Sequence, residues 1–248
     1  MKITDWDKIS ENYYREIISP IKDAEKNSPL LKELKKTRGK KAIDIGCGTG
    51  ALIPIISKKF DEVTAIDYSS GMIKQARKVA PKNTTVKKAN MTNLNKYKNF
   101  DVAFSINSLL AKDIKSLNQM LKQINKTIKK GGKFIAVMPS MESYLYQIML
   151  VMENYMAKGM SQNKAKKKAM EIFYEDDFDF VQGLTHFQKQ TQKCLYRFEI
   201  THRLKKAGFK EIKIEKLRYK WKSWNEAGHY YFPKEESPWD WFVTCKKN

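Results

Sequence analysis

Apolar and polar positions alternate in two rhythms between residues 42 and 138. Short stretches rich in apolar and β-branched residues, at 42–46 (AIDIG), 63–67 (VTAID), 84–89, 101–106 and 133–138, read as strands. Between them lie segments of helical period. Residues 51–60 read as a helix with Pro54 in the first turn, where a missing N–H does little harm. Ser69 can cap a helix running to about residue 80. Leu117, Leu121, Ile124 and Ile128, spaced 4, 3 and 4, form one face of a helix over 114–129, which Gly131 and Gly132 are expected to stop. Strand–helix alternation of this kind is the pattern of a parallel α/β sheet.

After Pro139 the rhythm changes. Met141, Leu145, Ile148, Met149, Met152, Tyr155 and Met156 mark a helical stripe ended by Gly159, and a second helix is expected over 162–174. An acidic-aromatic stretch follows, EDDFDFVQGLTHF at 175–187, and then a helix over 196–207 stopped by Gly208. Residues 211–217 and 240–245 read as two last strands joined by an aromatic loop. The chain is thus expected to be one α/β unit with a helical insertion at 140–193.

Composition bounds the class. Of 248 residues, 42% are hydrophobic and 30% charged, enough for a sizeable core. The three cysteines, Cys47, Cys194 and Cys245, lie far apart with no CxxC pair, which excludes a disulfide scaffold or a cysteine zinc module and suits a reducing compartment. No apolar run approaches the roughly 18 residues of a membrane helix, and MKITDWDKIS lacks the apolar core of a signal peptide. A soluble cytoplasmic protein with no membrane partner and no bound metal is expected. The net charge of +21 raises the question of nucleic acid. Only six of the 48 basic residues are arginine, the side chain suited to bidentate phosphate and base contacts, and the lysines are spread along the chain. A solvated lysine-rich surface and a basic partner surface both remain open, with nucleic acid the less favoured.

Chemistry concentrates at Asp44-Ile-Gly46-Cys47-Gly48-Thr-Gly50, which follows a strand and opens a helix. Glycines there let the backbone turn sharply and approach a ligand, and the helix start supplies free N–H donors. The spacing is GxGxG rather than the GxGxxG of dinucleotide folds, and Asp44 precedes the first glycine by two positions. A carboxylate there opposes a pyrophosphate and suits a ligand with positive charge. Asp67 ends the next strand, where a carboxylate can accept from both hydroxyls of a ribose.

AIDIGCGTG, VTAIDYSSGMIKQA, FDVAFSINSLL and KKGGKFIAVMP together resemble the class I S-adenosylmethionine-dependent methyltransferases, and KKAGF at 205–209 matches that family's usual ending. The resemblance covers 40–138 strongly and 196–246 more loosely. It implies a Rossmann-like, seven-stranded, mostly parallel sheet with helices on both faces and the last strand antiparallel. Here it would carry a helical insertion after the fifth strand. It implies S-adenosylmethionine as cofactor: Asp44, Gly46, Cys47, Gly48 and Gly50 around the methionine part, Asp67 on the ribose, and Tyr68 and Met72 flanking the adenine. Asn90 and Met91 stand where the family often has an acidic residue for the adenine amino group, and Ser105 would meet the methionine amino end. Residues 1–39 resemble the family's leading helical cap, whose tyrosine closes over the cofactor; Tyr13 or Tyr14 would do so here.

Methyl transfer from a sulfonium needs an in-line nucleophile in a water-poor site, and positioning and desolvation can supply much of the rate. No acid–base pair stands beside the glycine loop. Candidate bases are His229, in the aromatic loop, and His186, in the insertion, while Asn107 follows the fourth strand. The Asn/Asp-Pro-Pro-aromatic motif of enzymes that methylate adenine or glutamine amino groups is absent. Phe178, Phe180, Trp224, His229 and Tyr230 are candidate acceptor contacts, with 140–193 as a lid. A small-molecule acceptor is expected; RNA or protein as acceptor, or a non-catalytic cofactor-binding protein, is the alternative.

Overall fold

The computed structural model describes residues 6–7, 10, 18–173, 179–187, 190–226 and 230–248. Helix α1 (Pro29–Lys36) leads into β1 (Gly39–Ile45), α2 (Ile53–Ile56), β2 (Phe60–Asp67), α3 (Ser70–Lys78), β3 (Thr84–Lys88), β4 (Phe100–Ile106), α4 (Ile114–Thr127) and β5 (Ile128–Met138). Then come α5 (Met141–Ala157), α6 (Gln162–Phe173), the hairpin β6 (Leu184–Phe187) and β7 (Gln190–Lys193), α7 (Arg197–Lys206), β8 (Phe209–Arg218), α8 (Trp221–Glu226) and β9 (Trp239–Lys247).

Seven strands form one sheet in the order β3-β2-β1-β4-β5-β9-β8. The first five are parallel, and β9 runs antiparallel between β5 and β8. Both faces of the sheet are buried, which is why its central strands lack apolar–polar alternation. Along β5, Phe134, Ala136 and Met138 enter one core with Leu117, Leu121 and Ile124 of α4. Ile135 and Val137 enter the other with Leu30 and Leu34 of α1. Strand order reverses between β1 and β4, so the C-terminal ends of these two strands flank an open crevice where α/β sheets bind ligands.

Three sequence expectations are corrected. The helix expected over 51–60 is only the single turn Ile53–Ile56, because Phe60 is drawn into the sheet opposite Gly39. Asn83 Nδ2 fixes that exit by donating to Ser57 O at 2.9 Å and Phe60 O at 3.0 Å. The helix expected to end at Gly131 and Gly132 ends at Thr127. Ile128 already pairs with Phe100, and the two glycines lie in a bulge of β5. The apolar stripe of α5 is buried only at its start: Met141 is buried, Met149 and Met156 are exposed, and the rest of the buried face is Ser143, Gln147, Leu150 and Val151.

The helical insertion after β5 closes at its base. Leu195 N donates to Pro139 O at 2.8 Å and Met141 N to Leu195 O at 3.1 Å, so the chain leaves and re-enters at one point. Beside it the fully buried Lys193 donates to Glu199 at 2.7 Å and to Cys194 O at 3.2 Å. Among the described residues no helix is long and apolar enough to cross a membrane.

Candidate functional site

β1 ends at Ile45 and the chain turns through Gly46, Gly48 and Gly50, all with positive φ (74°, 53° and 89°), a conformation that favours glycine. Each glycine has its own reason. A Cβ on Gly46 would lie 2.4 Å from Ser108 Cβ. Ser108 is fixed there because its hydroxyl donates to Ile45 O at 2.6 Å and shares a 2.7 Å contact with Ser105 Oγ. A Cβ on Gly50 would lie 3.1 Å from Ala76 Cα of α3. A Cβ on Gly48 would meet nothing within 4 Å. The first and third glycines therefore pack the loop, and the middle one stands beside open space.

That space is a cavity of about 360 Å³ across the C-terminal ends of β1, β2 and β4. It falls in the size range of small-ligand sites. Asp44, Gly46, Cys47, Gly48, Asp67, Tyr68, Met72, Asn90, Met91 and Asn107 all line it, so the structure gathers most of the residues singled out from the sequence. Thr49, Ser108, Trp6 and the 19–21 turn line it too. Thr49 was within reach of a sequence reading, since it lies inside the glycine motif. Trp6 and residues 19–21 carry no motif and arrive through tertiary packing alone.

Two buried carboxylates dominate the electrostatics. Asp67 Oδ2 accepts from Gly48 N at 3.0 Å and Oδ1 from Ser69 N at 2.9 Å. Burial raises its pKa, opposed by these N–H donors. Asp44 is 2% exposed and its Oδ2 has no hydrogen-bond partner. Burial and then the nearby Asp67 push its pKa up to about 7. Burial and the same two carboxylates push the Cys47 thiol well up, which makes it a poor nucleophile. Two more buried atoms in the cavity wall lack partners, Thr49 Oγ1 and Asn107 Oδ1, and Asn107 adopts a left-handed φ of 52°.

Other residues singled out from the sequence are buried behind the wall, engaged by neighbours or placed away from the cavity. Ser105 is fully buried behind Ser108. Asn90 Oδ1 already accepts from the N–H and the hydroxyl of Thr92, each at 2.9 Å. Trp224 stacks on Tyr219 with ring centroids 5.8 Å apart, and the Tyr230 hydroxyl is 3.4 Å from that of Tyr155 on α5. Phe180 is exposed on the turn before β6 and, like Trp224 and Tyr230, is not in the cavity lining. His186 pairs through its backbone with Thr191 in the hairpin. Tyr13, Tyr14, Phe178 and His229 lie outside the described residues.

A glycine loop and two buried strand-end carboxylates, one of them with an oxygen lacking a partner, fit one kind of ligand. It is a nucleoside that also carries positive charge; a pyrophosphate would face two carboxylates. S-Adenosylmethionine, with its ribose, ammonium and sulfonium, meets that demand. The family profile described as "Methyltransferase domain" matches residues 36–177, over half of the chain. The chain belongs to this family, the class I S-adenosylmethionine-dependent methyltransferases, and S-adenosylmethionine is its cofactor.

Among curated proteins, the chain is 31% identical over 96 residues to a malonyl-[acyl-carrier protein] O-methyltransferase of Priestia megaterium. The aligned stretch is 38% of this chain and 34% of that relative, about a third of its length. Among solved structures, a SAM-dependent methyltransferase of Thermotoga maritima, described as a possible histamine N-methyltransferase, superposes with a TM-score of 0.59 at 19% identity, covering 98% of each chain. The DhpI-SAM-HEP complex superposes with a TM-score of 0.61 at 15% identity, covering 98% of this chain and 94% of the other.

Proposed function

We propose that the chain transfers a methyl group to a small molecule held at the C-terminal ends of β4 and β5. In this reading Asp67 receives the ribose hydroxyls, Asp44 faces the ammonium of the methionine moiety, and Tyr68, Met72 and Met91 surround the adenine. The cofactor then lies along the β3–β2–β1 side of the crevice, and its reactive end points toward β4.

Asn107 carries the acceptor assignment. It sits at that end, where its N–H donates to Val137 O at 3.0 Å, and its buried Oδ1 has no partner. A buried amide oxygen without a donor costs about 1–3 kcal/mol, which a ligand N–H or O–H would recover. The left-handed backbone adds strain of the kind that collects at functional sites. An acceptor whose nucleophile bears a proton, an amine or a hydroxyl, fits this wall.

The chain's own groups bind, orient and exclude water. The sulfonium supplies an activated methyl group when bound, and no paired acid and base stand in the described wall. The insertion 140–193 serves as the lid; its exposed Met149, Met156 and Phe180 support an apolar covering surface. Titration of the purified protein with candidate amines and alcohols in the presence of S-adenosylhomocysteine tests the assignment. Binding should require Asn107, and uptake of bulk RNA in place of small acceptors would refute it.

A further inference from the structure

We propose that Asp7 is a positioning residue for cofactor binding, holding Asp67 in its ribose-accepting orientation through Ser69. This rests on the reading that Asp67 receives the ribose. Asp7 lies some sixty residues before the elements it touches, beside Trp6, which lines the cavity. Its Oδ1 accepts from Ser69 Oγ at 2.5 Å and from Gly71 N at 2.7 Å.

Ser69 is the joint. It is fully buried, and its hydroxyl oxygen also accepts from Met72 N at 3.1 Å as the cap of α3. Its own N–H donates to Asp67 Oδ1 at 2.9 Å. The other Asp67 oxygen is held by Gly48 N. The Asp67 carboxylate is therefore held by backbone donors that include one from the glycine loop, one from Tyr68 and one from a residue that Asp7 anchors. With Asp7 removed, the buried Ser69 hydroxyl loses the acceptor for its hydrogen and Gly71 N loses its partner, so the first turn of α3, which carries the Ser69 N–H, is no longer anchored.

Gly71 gives an independent reason to read this contact as built. Its φ is not positive, and inside a helix alanine would serve better. A Cβ there would nevertheless fall 2.7 Å from Ser10 Oγ, 3.0 Å from Asp7 Cα and 3.1 Å from Asp7 O. The bare glycine admits the backbone of Asp7 against the first turn of α3. Docking of Asp7 and orientation of the ribose carboxylate are thus one event.

Calorimetric titration with S-adenosylhomocysteine and with its 2′,3′-dideoxy analogue separates this role from a merely structural one. Wild-type protein should strongly prefer the ligand with ribose hydroxyls. Asp7→Ala should weaken S-adenosylhomocysteine about tenfold, a loss typical of one charged hydrogen bond, and leave the dideoxy analogue nearly unchanged. Asp7→Asn, which keeps an acceptor oxygen, should restore most of the preference, and Gly71→Ala should reproduce Asp7→Ala. Equal weakening of both ligands, or no change in the preference, would overturn the proposal. A wild-type protein that binds both ligands alike would instead overturn the ribose assignment, and with it the role given to Asp7.

Discussion

Replacing Asp44 with asparagine should have two opposed effects: a more stable ligand-free protein above neutral pH and weaker cofactor binding. Asp44 is 2% exposed, and its pKa rises from 3.8 to about 7 through burial and then the charge of Asp67. A carboxyl whose folded pKa exceeds its unfolded value favours the folded state while protonated. That contribution is intact below 3.8 and is lost as pH rises through about 7. The displacement corresponds to a gross loss of ~4 kcal/mol. Asparagine keeps the shape without the charge, yet still leaves a buried amide short of partners at about 1–3 kcal/mol. A net gain of about 1–3 kcal/mol at pH 8 remains, equivalent to a rise in Tm of roughly 2–12 °C for a chain of this size. The same change removes the anion facing the cofactor's ammonium, so its Kd should rise about 10- to 100-fold. Thermal melts from pH 5 to pH 9, with and without S-adenosylhomocysteine, read both effects. Wild-type Tm should fall with pH more steeply than that of the variant, and ligand should flatten the wild-type slope. An Asp44→Asn protein that melts below wild type at pH 8 and binds S-adenosylhomocysteine normally would refute this reasoning.

The glycine loop offers a paired contrast. Gly46→Ala drives a Cβ to 2.4 Å from Ser108 and should lower stability by about 2–4 kcal/mol in denaturant titrations, whereas Gly48→Ala meets no atom within 4 Å and should cost only ~1 kcal/mol while weakening cofactor binding. Asn107→Gly relieves the left-handed strain and deletes the amide oxygen, so Tm should hold or rise while the KM for acceptor increases about tenfold and cofactor Kd stays the same in steady-state and calorimetric assays. Phe180→Ala should lower turnover with cofactor affinity unchanged; matched loss of both would mark the insertion as a structural brace rather than a lid.

Much of this fold is legible in the residue pattern because both faces of the sheet are buried, so each central strand announces itself as an apolar run. The core of β1 in AIDIG, β4 in FDVAFSI and the cap at Ser69, which accepts from Met72 N at 3.1 Å, follow from local chemistry. Legibility fails where distant contacts decide. Asn83 ends the turn after α2 by binding two carbonyls, and nothing near residue 57 signals it. Gly131 and Gly132 look like a helix stop but form a bulge, because Phe100 already pairs with Ile128. The hairpin β6–β7, LTHF and QTQK, has its two apolar residues, Leu184 and Phe187, three positions apart, so no period-two apolar run marks it as a strand pair. In the site, Asp44, Asp67 and the glycines are legible because the ligand's chemistry dictates their types and spacing. The contribution of Asp7 is not, since its partners lie some sixty residues away and its own surroundings are ordinary.

The central claim, methyl transfer to a small molecule, is tested most directly by following the label. The protein is incubated with S-adenosylmethionine labelled in its methyl group, together with a fractionated extract containing small metabolites, RNA and protein. Mass spectrometry then reads which fraction gains a labelled methyl group. The account predicts label in one or a few small amines or alcohols, abolished by Asp67→Ala and reduced by Asn107→Gly. Label confined to RNA or protein, at wild-type levels in both variants, would contradict it.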